Sequence, residues 1–184
     1  VHEALADYFP YSKFGGEPCL GESICPVDSS ACYVEGKCLR TADNNLVHNE
    51  IEGSWHKESQ VVSASLWDLR KKIGGASMDR IVFKALSYFP KEIGYYGLIL
   101  SLMKADDSLN SGENRCKIYD VFLERGFGDF LEDFSCESLS SWPDPEEAPS
   151  GSQLLGDGGG EQEKEEDVSC GFLVYGGRGQ SKPQ

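Results

Sequence analysis

Apolar residues recur at helical spacing in several separate stretches of the 184-residue chain. In the first nine residues, Ala4, Leu5, Tyr8 and Phe9 are the packing positions, and Glu3 and Asp7 sit one turn apart on a face that reads as buried. Pro10 is expected to end this helix. Val62, Leu66, Leu69 and Ile73 predict a second helix, stopped by Gly74-Gly75. Ser77 is the expected N-cap of a third, with Asp79 in its first turn and Ile81, Val82, Ala85, Leu86 and Phe89 on its apolar face. Pro90 ends it. Residues 92–104 form a further run through Ile93, Tyr96, Leu100 and Met103, and 106–112 reads as a loop. Residues 113–125 carry Ile118, Tyr119, Phe122 and Leu123, with Gly126 as the stop, and 127–131 add another turn. No stretch has the strict alternation of a sheet strand. The fold class expected is mainly α, a bundle of roughly five helices.

Between these runs, 11–49 has no periodicity and is rich in Gly, Pro, Ser and Cys. A loop of that length in a compact domain is usually functional or cross-linked. Cys19, Cys25, Cys32 and Cys38 crowd into it, without the C-x-x-C pairs of a structural zinc site, and read as disulfides of undetermined pairing. Cys116 and Cys136 flank the last helix and are placed to staple it. From about residue 140 the chain turns acidic and rich in Gly and Pro, a composition that cannot offset the entropy of ordering. The expected division is therefore a helical domain over 1–139, containing the cysteine-rich loop 19–38, and a disordered acidic tail over 140–184. Cys170 to Tyr175 is an apolar island in that tail, either plain tail or the start of a membrane anchor whose apolar part is missing.

Charge and cysteine content narrow the setting. A formal net charge of −14 argues against nucleic acid and anionic membrane as partners. Seven cysteines point to an oxidising compartment, and the odd count leaves one free or paired outside the chain. The expected location is secreted, extracytoplasmic or cell-surface. Val1 is not Met, no signal peptide appears, and the first helix opens without a capping residue, as expected of a fragment or processed product.

Two acids on a buried helical face need a compensating charge, and a bound cation is one. Glu3 is then the metal ligand, with Asp7 orienting a neighbouring ligand. The plainer reading is a solvated acidic face. His56 falls at or just before the start of the second helix, where the helix end lowers an imidazole pKa and offers N–H groups to anions. Its plainer reading is a surface histidine.

Taken in order, Glu3-Ala4-Leu5-Ala6-Asp7, then His56-Lys57-Glu58-Ser59-Gln60 running into Leu66-Trp67-Asp68-Leu69-Arg70, resembles the C-terminal half of the thermolysin-like and fungalysin-like zinc metallopeptidases, the gluzincins. The resemblance covers about Val1 to Leu131, with the cysteine loop as an insertion. It implies a secreted zinc endopeptidase acting on polypeptides. Glu3 is the zinc ligand of an E-x-x-x-D motif and Asp7 the residue that bonds a zinc-bound histidine. His56 is the donor to the oxyanion, oriented by Glu52 or, second, Glu50. Arg40 is a further contact to the oxyanion or the substrate carbonyl. Calcium is common in such relatives, though no site for it is visible in these residues.

Two features depart from the family pattern. H-E-x-x-H, which carries two zinc ligands and the general base, is absent; the three histidines are His2, His48 and His56. These ligands are expected from an upstream peptidase segment, so the isolated chain is expected to be inactive and to bind zinc poorly. Ser59 also stands where fungalysin-like relatives usually have Gly. Two other readings stay open: a non-catalytic secreted helical module that binds through its cysteine loop, and a self-contained metal site from His2, Glu3, His48 and His56.

Overall fold

The computed structural model describes residues 1–25, 32, 37–51, 55–132 and 135–137, with Trp55 and His56 described as backbone only. The expected domain boundary near 139 and the whole acidic tail lie outside these residues. Among the described residues the protein is mainly helical, with α1 (His2–Phe14), α2 (Trp55–Ile73), α3 (Gly75–Ala85), α4 (Tyr95–Asn110) and α5 (Arg115–Glu124). Cys19–Leu20 (β1) and Arg40–Thr41 (β2) form a short antiparallel ladder, Cys19 opposite Thr41 and Leu20 opposite Arg40.

Helix α4 is the central element. Every residue from Tyr96 to Met103 is buried, so it is apolar all round rather than striped. It packs between α3 and α5, while α2 touches α1, α3 and α5. Tyr8, Leu66, Leu69, Ile81, Leu102 and Phe122 meet in one core.

Several boundaries differ from those expected, three of them with a visible local cause. Helix α1 runs through Pro10 to Phe14 and ends on Gly15 in the left-handed region (φ 64°). The bond that Pro10 cannot donate is the one to the carbonyl of Ala6, an exposed residue whose oxygen can turn to water. Ser77 lies inside α3, which starts at Gly75 directly after Gly74 (φ 100°), so α2 and α3 are joined by a single glycine and no side-chain cap is used. Helix α4 continues to Asn110 because the buried Asp106 carboxylate holds the turn that follows. It accepts from Asn110 Nδ2 at 2.7 Å, Asn114 N at 2.7 Å and Asn114 Nδ2 at 2.8 Å.

Disulfides join Cys19 to Cys38, Cys25 to Cys32 and Cys116 to Cys136. Three such bonds indicate an oxidising environment, as outside the cell. No helix among the described residues is long and apolar enough to cross a membrane.

Candidate functional site

The first turn of α1 is half open. Glu3 is exposed, whereas Asp7, one turn on, is 1 % exposed. The two acids therefore share a side of the helix but not an environment, and what separates them is Arg40. From β2, Arg40 donates Nε to Asp7 Oδ2 and Nη2 to Asp7 Oδ1, both at 2.8 Å. This is the two-pronged geometry that suits guanidinium to carboxylate. Hydrogen bonding to Asp7, working against burial, raises the Arg40 pKa, and both Asp7 and Glu3 add to it through their charge. Glu3, Asp7 and Arg40 thus form one electrostatic group. Each Asp7 oxygen keeps a lone pair beyond the one Arg40 uses, so the carboxylate can still accept another donor.

Tyr11 stands beside this pair. Its hydroxyl is buried without a hydrogen-bond partner among the described residues. Burial first, then the negative charge of Asp7, pushes its pKa well above the usual phenol value.

Helix α2 packs against α1. Val1's amino group has its pKa lowered by burial, while Glu3 and Glu58 pull it upward, which places all three within electrostatic reach. Glu58 also accepts the Tyr95 hydroxyl of α4 at 2.9 Å. His56 is the second residue of α2, two positions before Glu58. Its side chain lies outside the described residues, and so does Glu52; Glu50 is exposed in the 3₁₀ turn His48–Glu50.

That turn carries His48 into an aromatic cluster. Its ring stacks on Phe127, with centroids 4.6 Å apart and planes 9° apart, and meets Tyr95 edge-on at 4.9 Å. Nδ1 is buried and without a hydrogen bond among the described residues. Burial lowers the His48 pKa, opposed by the charges of Glu58 and Asp129. His2 is exposed. Among the described residues no three His, Cys, Asp or Glu side chains come together as a metal-binding group.

Sequence reasoning passed over several positioning residues. Arg125 donates Nε to Asp68 Oδ2 at 2.9 Å, and Nη1 to the carbonyls of Asn44 at 2.9 Å and Leu46 at 3.0 Å. It fastens the segment leading to α2. Gly126 completes the junction: φ is 83°, and a Cβ there would approach Val47 Cγ1 to 2.6 Å. Arg70 bonds Asp79, which also accepts Tyr8 Oη at 2.8 Å, tying α2, α3 and α1 together. The charged residues of the Leu66-Trp67-Asp68-Leu69-Arg70 run are thus fasteners between helices. Only Gly126 left a local signal, as a helix stop; the other partners are distant in sequence.

Compared with known proteins, the chain matches no family model, no curated protein and no solved structure.

Proposed function

We propose that this chain is the C-terminal, helical part of a secreted zinc-dependent endopeptidase of the gluzincin type. One observation supports it above the others: α1, bearing Glu3 in its first turn, packs against α2, bearing His56 in its first turn. Asp7 and Arg40 belong to the same end of the pair. Those are residue types the resemblance assigns, and Asp7 and Arg40 meet from 33 positions apart in sequence. Glu3 is the one zinc ligand this chain contributes, and the others come from an H-E-x-x-H helix outside these 184 residues. His56, at a helix start, donates to the oxygen that becomes negative as a peptide carbonyl is attacked. Arg40, held by Asp7, is the contact assigned to the oxyanion or the substrate carbonyl. Calcium has no assigned residues.

The test is a pair of substitutions in the longer protein. His56→Ala should lower kcat by about 100- to 1000-fold with zinc content unchanged. Glu3→Gln should release zinc. Wild-type turnover and zinc content in both variants would refute the assignment.

A second reading, a non-catalytic binding module, draws on one feature. Phe14 is 85 % exposed and Ile24 69 % exposed, and they flank a groove beside the cysteine loop. In that case Phe14→Ser removes binding, and the two substitutions above change nothing.

A further inference from the structure

An open groove of about 900 Å³ runs between α1 and α3 on a face that Glu3 does not line. Its walls are Phe9 and Lys13 from α1, Arg80, Phe83 and Lys84 from α3, and Leu109 near the end of α4. Two properties set it apart. It is apolar in a way a free surface seldom is, since Phe83 is 70 % exposed within it. It also gathers three cations in a chain of net charge −14. Lys13 and Arg80 have no ion-pair partner among the described residues, and Lys84 lies over the Tyr88 ring at 4.8 Å. The one acid in the wall, Asp79, is already held by Arg70 and Tyr8.

The complement of this surface is written in the chain itself. Glu161-Gln162-Glu163-Lys164-Glu165-Glu166-Asp167 carries five acids against one lysine and is followed, after four residues, by the apolar Phe172-Leu173-Val174-Tyr175. Both lie outside the described residues. We propose that residues 161–175 dock intramolecularly in the α1/α3 groove. The acidic run meets Lys13, Arg80 and Lys84, and the apolar run covers Phe83 and its neighbours.

Reach is sufficient. The Cys116–Cys136 bond ties the origin of the tail to the start of α5, seven positions beyond Leu109 of the groove. From residue 137 to 161 the chain spans at most about 80 Å when extended. A folded body of this size has a radius of gyration of only about 14 Å. Tethering puts the segment at an effective concentration on the order of millimolar, so modest contacts suffice. The docking does not depend on the peptidase reading.

The three disulfides use six of the seven cysteines, which leaves Cys170 between the acidic and apolar runs as a labelling site. The experiment places a nitroxide on Cys170 of the complete oxidised chain and reads paramagnetic broadening of the backbone amides. Docking predicts broadening concentrated on Lys13, Arg80 to Lys84 and Ser87. It should be lost at about 0.5 M salt, where screening is short-ranged. It should also be lost in Arg80→Glu/Lys84→Glu, and equally in Phe172→Ser/Leu173→Ser, which leaves the described fold untouched. Absent or evenly spread broadening overturns the proposal, and so does broadening centred on Phe14 and Ile24. Broadening that crosses from a labelled chain to an unlabelled, isotope-enriched one assigns the groove to a second copy and equally overturns it.

Discussion

Asp7 and Arg40 grip each other through two hydrogen bonds of 2.8 Å across 33 positions of chain, fastening α1 to β2. Asp7 is almost fully buried and Arg40 about a quarter exposed. Removing one partner leaves the other's charge in a poor solvent. Arg40→Ala should cost about 3–5 kcal/mol, measured as a lowered urea midpoint at unchanged slope. Arg40→Lys should fall between, because an ammonium cannot make the fork. A loss under about 1 kcal/mol for Arg40→Ala would mean that water reaches Asp7 freely.

His48 makes stability sensitive to pH. Burial holds its pKa below the ordinary 6.5, so the folded state binds the proton more weakly than the unfolded chain does. Stability from this group is complete above 6.5. It declines as pH falls below 6.5 and stops declining below the folded pKa. The charges of Glu58 and Asp129 narrow that window without reversing it. The wild-type minus His48→Gln difference in unfolding free energy should therefore shrink from pH 7 to pH 5. A difference that grows in favour of wild type toward acid pH would contradict the stacked, neutral ring.

Asp106 should behave as a structural acceptor. It takes three donors while fully buried. Asp106→Ala orphans them at a cost of about 1–3 kcal/mol. Thermal unfolding of the variant reads this directly, and amide exchange should quicken first near 110–114.

Breaking the Cys116–Cys136 bond, which spans 20 positions, should lower stability by about 3 kcal/mol through the freedom returned to the unfolded chain. The double variant Cys116→Ser/Cys136→Ser, compared by thermal unfolding, gives the value. An unchanged Tm would mean that 135–137 is held by other contacts.

What the sequence made legible was the part written locally. Val62, Leu66 and Leu69 of α2 and Ile81, Val82 and Ala85 of α3 recur at helical spacing and are buried as that spacing requires. Leu86 has the same spacing and is 38 % exposed, because the helix gives way to a 3₁₀ turn there. Pro10 misled because its missing bond falls on the solvent side of α1. Asp106 misled because Asn114, the source of two of its three hydrogen bonds, lies beyond the helix it prolongs. At the candidate site, the E-x-x-x-D spacing put Glu3 and Asp7 on one side of a helix. It carried no information on Arg40 closing over only one of them. Nor could it show α1 packing against α2, a relation built by core packing between distant segments.

The most direct test of the peptidase reading is to read the coding sequence upstream of Val1. The account predicts a helix-forming segment carrying H-E-x-x-H shortly before Glu3, which supplies the two missing zinc ligands and the general base. An upstream sequence without that motif would contradict it and leave Glu3 an exposed acid on a helical binding module.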